Sequence, residues 1–186
     1  MDQIKVYGFD RSTGKIALKD IVRCEIDSGP KHIIFSKDKK YIYLTHENDN
    51  MVTEYAYSMG KKGPVFDKID QQSTLPPKFS EDNCAVTLKI TEDDSYLFVT
   101  NSGDNSVAIY KIDEAHKMNR MCVLPVSGIY PRDIYIFPDK QHFASINQES
   151  NSITIFGVNY EKGYIYMKGR PVSVPCPTCI AVKKMK

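Results

Sequence analysis

Charge of one sign, long apolar runs and paired metal-ligand motifs are all scarce in this chain. Lys and Arg number 25 against 23 Asp and Glu, a net charge of +2. That removes the usual case for a general nucleic-acid binder, which needs a basic surplus to displace counterions. No run of about 18 apolar residues occurs, so no membrane-spanning helix is expected. The start, "MDQIKVYGFD", has no signal-peptide pattern, which points to a cytoplasmic location. Five cysteines (Cys24, Cys84, Cys122, Cys176 and Cys179) are scattered and odd in number, which argues against a disulfide framework. Cys176-Pro-Thr-Cys179 is a lone C-x-x-C; a structural zinc site needs four ligands, and neither a second pair nor two close histidines is there to complete it. The basic tail Lys183-Lys184-Met185-Lys186 reads as a solvated terminus. No helical hydrophobic period of useful length appears.

What the chain does contain is a repeat. "KHIIFSKDKKYIYLTHENDNMVTEY", "VTLKITEDDSYLFVTNSGDNSVAIY" and "RDIYIFPDKQHFASINQESNSITIF" align without gaps. Asp38, Asp93 and Asp139 anchor them, with Asn50, Asn105 and Asn151, then Val52, Val107 and Ile153, then Tyr55, Tyr110 and Phe156 behind. Each unit alternates apolar with polar residues, or runs apolar with β-branched and aromatic ones, and is broken by two Asp/Asn turns. That is the pattern of strands joined by tight turns. A fourth strand follows each unit, giving a meander of about 45 residues, the period of a β-propeller blade. The fold expected is all-β: a partial β-propeller slightly under four blades. Two leading strands fall within residues 1–28, blades cover about 29–83, 84–129 and 130–175, and a trailing strand lies within 176–186. "QQSTLPPKFSEDN" reads as an insertion between the first and second whole blades.

The first hairpin, "GPKHIIFSKDKKYIYLTHE", keeps polar residues at its open end. If the turn centres near residue 39, Lys31 faces Glu47, and the same position pairs Val86 with Ser102 and Arg132 with Gln148. In a propeller these residues meet at one mouth of the central channel, with His46, Asn101 and Asn147 as the adjacent column. Cations beside a carboxylate at such a mouth suit an anionic small molecule, which Arg grips through two parallel bonds. The same Lys31–Glu47 pair also reads as a surface ion pair of little energetic weight. Both readings stay open on the repeat alone.

With these segments, and with "STLPPKFSEDNCAVTLKITEDDSYLFVTNSGDNSVAIYKID", "YPRDIYIFPDKQHFASINQESNSITIF" and "VPCPTCIAV", the chain resembles the C-terminal half of the seven-bladed lactonases. These include the propeller-type 6-phosphogluconolactonases and the carboxymuconate-lactonizing enzymes. The resemblance implies hydrolysis of a sugar-acid lactone with no metal and no cofactor. It assigns Arg132 and Lys31 to binding the anion or polarising the lactone carbonyl, and Glu47 to activating water. His32, His46, Asn101, Asp133, Asn147 and Gln148 would be supporting, substrate-binding groups. The family's Gly-Pro-Arg-His reads Gly29-Pro30-Lys31-His32 here, and its Asn-Glu reads His46-Glu47. Pro131-Arg132-Asp133 is intact. Thr87 and Lys89 replace an acidic residue and a histidine, and Asn101-Ser102-Gly103 replaces Asn-Arg-Gly.

The alternative is a non-catalytic half-propeller acting as a binding or assembly module. Its open sheet edges lead one to expect a homodimer, or pairing with a missing N-terminal half. A further alternative is a fragment of a longer product, with Met1 an internal start.

Overall fold

The computed structural model describes residues 2–61 and 63–183; within these there is no α-helix. Met1, Lys62 and residues 184–186, which include most of the basic tail, lie outside the described residues. Among the described residues fifteen strands form four antiparallel sheets. A two-stranded ribbon comes first: β1 (Gln3–Phe9) and β2 (Ile16–Arg23). Blade I follows as β3 (Pro30–Phe35), β4 (Tyr41–His46), β5 (Met51–Gly60) and β6 (Gly63–Ser73). Blade II is β7 (Ala85–Ile90), β8 (Tyr96–Asn101), β9 (Ser106–Ile112) and β10 (Met118–Pro125). Blade III is β11 (Pro131–Ile136), β12 (His142–Asn147), β13 (Ser152–Asn159), β14 (Tyr164–Met167) and β15 (Val172–Ser173). The partial all-β propeller expected from the repeat is what forms.

The repeated polar residues make the turns. Asp38, Asp93 and Asp139 each accept the amide two residues on: Lys40 at 3.0 Å, Ser95 at 3.3 Å and Gln141 at 2.9 Å. The residue after each aspartate is left-handed, with φ of 60° at Lys39, 56° at Asp94 and 57° at Lys140. Asn50, Asn105 and Asn151 are left-handed in the second turn, at φ 57°, 54° and 53°. Asn tolerates that region better than most side chains because its amide bonds nearby backbone.

Blades stack face to face, and strand periodicity explains how. Leu97 and Val99 of β8, with Ala108 and Tyr110 of β9, face Tyr43 and Val52 of blade I. The intervening Phe98, Val107 and Ile109 face Ile134, Phe143 and Phe156 of blade III. Blade II is therefore buried on both faces, which is why its strands read as continuous apolar runs.

Three details differ from the sequence expectation. The ladders do not place Lys31 opposite Glu47: Pro30 faces His46, and then His32 faces Thr45. Lys31 is the extra residue of a β-bulge, which a hairpin counted symmetrically from its turn cannot reveal. The trailing strand is not formed over residues 176–183. No adjacent strand is there to satisfy it, and Pro175 and Pro177 remove two donors. The fifteenth strand is instead β15, which pairs the start of β13 while β14 pairs its end, so the two are one interrupted outer strand. Residues 71–73 of the expected insertion belong to β6.

Candidate active site at the channel mouth

The bulge recurs in every blade at the same place. Ala85 faces Asn101 before Leu88 faces Val99, and Pro131 faces Asn147 before Asp133 faces Ile146. Beyond it the ladder resumes for one bond. The Glu47 amide donates to the Gly29 carbonyl (2.7 Å), Ser102 to Cys84 (2.9 Å) and Gln148 to Tyr130 (3.0 Å). Threonine hydroxyls accept the freed amides of His32 (from Thr45, 3.2 Å) and Thr87 (from Thr100, 3.0 Å). A bulge re-aims the side chain it carries. Here it sets Lys31, Val86 and Arg132 at the same end of successive inner strands, beside Glu47, Ser102 and Gln148.

These strands are bonded sideways. The Leu88 amide donates to His32 Nδ1 (3.2 Å), and the Thr87 hydroxyl donates to the Arg132 carbonyl (2.7 Å). The Ile180 amide donates to Asp133 Oδ2 (3.1 Å), and the Ser102 hydroxyl to the Pro131 carbonyl (2.9 Å). His32, Thr87 and Asp133 thus share one repeat position and one task, joining each inner strand to the next segment. Burial and the Lys89 ammonium push the His32 pKa down, with Asp133 opposing. Its Nδ1 is an acceptor, so the ring is neutral and turned into the blade interface.

At the mouth itself, Lys31 Nζ lies 2.9 Å from both Glu47 oxygens, and the two side chains are 40 % and 32 % exposed. Arg132 is half-buried, and its guanidinium carbon sits 5.7 Å from the centre of the Tyr130 ring, within cation–π range. Among the described residues it has no carboxylate partner. The Gln148 amide reaches Cys176 Sγ at 3.5 Å. On the same face a hollow of about 500 Å³ is lined by Asn48, Cys84, Ser102, Gly103 and Tyr130, among others.

The adjacent column is placed differently. His46, Asn101 and Asn147 are buried inside their sheets. His46 Nε2 contacts Thr53 Oγ1 (2.9 Å), and burial pushes its pKa down. Asn101 donates to the Thr74 carbonyl (2.7 Å) and Ser106 (3.1 Å). Asn147 donates to Thr154 (3.0 Å) and Ser152 (3.3 Å). The amides of Asn101 and Asn147 are spent on the second turn and the neighbouring strand, whereas His46 Nδ1 is buried without a hydrogen-bond partner among the described residues. Asp133 is likewise engaged, 3.4 Å from Lys89 and bonded to Ile180. Sequence reasoning did not single out Tyr130, and it noted Thr87 only as a departure from the family pattern. Their positions in the repeat, next to Arg132 and level with His32, were the available signal. Among the described residues no group of three or more His, Cys, Asp or Glu side chains could hold a metal. All five thiols are free.

A repeat of four-stranded antiparallel blades is the architecture of a β-propeller, and the family comparison agrees. The family model described as "Lactonase, 7-bladed beta-propeller" matches residues 1–182, and the chain belongs to that family. Among curated relatives, an uncharacterised protein of Staphylococcus saprophyticus is 26 % identical over 178 residues, covering 95 % of this chain and 50 % of the relative. One of Staphylococcus aureus is 29 % identical over 166 residues, covering 88 % and 47 %. The chain spans about half the length of the curated relatives it matches. The periplasmic gluconolactonase PpgL of Pseudomonas aeruginosa superposes with a TM-score of 0.86 at 24 % identity, over 96 % of this chain and 50 % of that one. A putative 6-phosphogluconolactonase of Bacteroides fragilis does so with 0.83, also at 24 %, over 96 % and 51 %.

Proposed function

We propose that the channel mouth binds an anionic sugar-acid lactone of the 6-phosphogluconolactone type and opens it by hydrolysis. The observation that carries this reading is a half-buried Arg132 guanidinium without a carboxylate partner among the described residues, at the same strand end as the Lys31–Glu47 pair. An uncompensated guanidinium suits a phosphate or carboxylate through two parallel bonds. The names of two structural neighbours, a gluconolactonase and a putative 6-phosphogluconolactonase, give a sugar-acid lactone as substrate, an anionic one in the second. In this scheme Glu47 takes a proton from the attacking water as its oxygen adds to the lactone carbonyl. The ring C–O bond then breaks, and the proton passes to the departing ring oxygen. Lys31 swings from Glu47 to the carbonyl oxygen as negative charge develops there.

A second reading, a binding module without catalysis, is favoured by one observation: Lys31 engages both Glu47 oxygens, leaving no free base until it moves. Lactone opening separates the two. With 6-phosphogluconolactone, Glu47→Gln is expected to lower the rate roughly a hundredfold. Arg132→Gln is expected to raise KM for the phosphorylated lactone far more than for glucono-δ-lactone. A chain that binds 6-phosphogluconate in calorimetry, yet opens neither lactone faster than buffer, is a binding module.

A further inference from the structure

Tyr130 holds a backbone conformation that a bulky side chain rarely takes. Its φ is 61°, in the left-handed region. The equivalent residue of blade I is Gly29, at φ 64°, where the angle carries no steric cost. Two bonds fix the tyrosine there. Its amide donates to Asn105 Oδ1 (2.8 Å), and its carbonyl accepts the Gln148 amide (3.0 Å). A strained angle persists where the surroundings over-determine it, and such positions gather at sites that bind or react. A residue kept here for the fold alone would be glycine or asparagine, as Gly29 and Asn105 are.

What the strain secures is a ring in a particular place. The Arg132 guanidinium carbon lies 5.7 Å from the ring centre. The ring also lines the hollow of about 500 Å³, a size usual for small-molecule sites. Some polar groups around that hollow are spent on holding its walls. Asn83 Nδ2 donates to Asn50 Oδ1 (2.7 Å), and Asn83 Oδ1 accepts the amides of Gly103 (2.8 Å) and Asp104 (3.0 Å). The Ser102 hydroxyl is held by the Pro131 carbonyl. Others are free. The side chains of Asn48 and Asp82 make no hydrogen bond or ion pair among the described residues. Cys84 ties the hollow to the ion pair: burial pushes its thiol pKa up, with Glu47 adding to the rise and Lys31 opposing it.

We propose that Tyr130 is a stacking platform that makes this site selective for a closed sugar ring. The proposal rests on the reading of the site as one for an anionic sugar-acid lactone. The C–H face of the sugar ring lies on the tyrosine, its hydroxyls reach Asn48 and Asp82, and its anionic substituent meets Arg132. An aromatic face suits the flat, apolar side of a ring. The lactone has such a side. The product acid does not, because opening the ring turns it into a flexible chain. Tyr130 therefore holds substrate more tightly than product and favours release after hydrolysis. Its hydroxyl has no part in this.

The test is isothermal calorimetry of the 186-residue chain with two phosphates of equal charge that differ in ring closure. One is 1,5-anhydroglucitol 6-phosphate, which is cyclic and has no lactone bond to open. The other is glucitol 6-phosphate, which is an open chain. The parent should bind the cyclic compound about tenfold more tightly. Tyr130→Gly and Tyr130→Asn replace the ring with residues at ease in the left-handed region, so the fold, checked by circular dichroism, should be kept. Both should bring the two affinities to within about threefold of each other. Tyr130→Phe should keep the preference, and Arg132→Gln should weaken both compounds alike. A ratio unmoved by Tyr130→Gly and Tyr130→Asn overturns the platform. So does a ratio that Tyr130→Phe also abolishes, which would give the selectivity to the hydroxyl. In both cases binding by the parent leaves the sugar-acid reading standing. A parent that binds neither phosphate overturns the platform and that reading together.

Discussion

Glu54 shows what a single residue in a blade interior costs. It lies fully buried in the middle of β5, and neither oxygen has a hydrogen-bond partner among the described residues. Burial pushes its pKa up to about 7; Asp70 and Asp113 add to the rise, and the Tyr43 hydroxyl partly offsets it. In the unfolded chain the carboxyl titrates near its ordinary value, so between the two values the folded state holds more proton than the unfolded. Its contribution is fully present below the unfolded pKa and is lost as pH rises through about 7. The span corresponds to roughly 3 kcal/mol. Glu54→Gln should therefore be more stable than the parent at pH 8, with the difference shrinking toward pH 4.5. Urea midpoints of both proteins across that range measure it; parallel curves would show that Glu54 ionises without penalty.

At the scale of elements, the second turn of each blade does two jobs. Asn105 holds a left-handed backbone, and its Oδ1 accepts the Tyr130 amide at 2.8 Å, tying the turn of blade II to the entry of blade III. Asn105→Ala loses both and should cost about 2–3 kcal/mol, the sum of a left-handed penalty and one buried bond. Asn105→Gly keeps the backbone and loses only the bond, so it should recover about half, as chemical denaturation would report. This turn was legible in the sequence because Asp and Asn recur where the chain must reverse. The bulge was not. It arises where the ladder skips one residue between Pro30 and His32, and again between Pro131 and Asp133, and side-chain polarity carries no mark of a skipped bond. Of the candidate residues, Lys31, Glu47, Arg132 and Gln148 stand at the same end of the inner hairpins of blades I and III, whereas His46, Asn101 and Asn147, one residue back along β4, β8 and β12, alternate into the sheet interior.

For the molecule as a whole, protection is unevenly shared. Blade II is covered by both neighbours, and nearly every residue of its β8 and β9 is buried, Phe98 stacking edge-on with Phe143 at 5.2 Å. The ribbon has one sheet neighbour and one bare face. Amide hydrogen exchange should therefore be slowest in β8 and β9 and fastest in β1 and β2, with blades I and III between, because local opening costs least where fewest apolar contacts break. Uniform exchange along the chain would mean that the arc unfolds only as a unit.

The sideways bonds between inner strands bear on how such an arc can be rearranged. Blade I meets its successor through an imidazole, blade II through a hydroxyl, and blade III through a carboxylate that also faces Lys89. Near-identical backbones thus carry different chemical handshakes, yet each grips a backbone group of its follower: the Leu88 amide, the Arg132 carbonyl or the Ile180 amide. A blade grafted into a related ring would therefore have to bring only its own forward-reaching side chain, while the Lys89–Asp133 pair is the seam contact that asks for a particular neighbour.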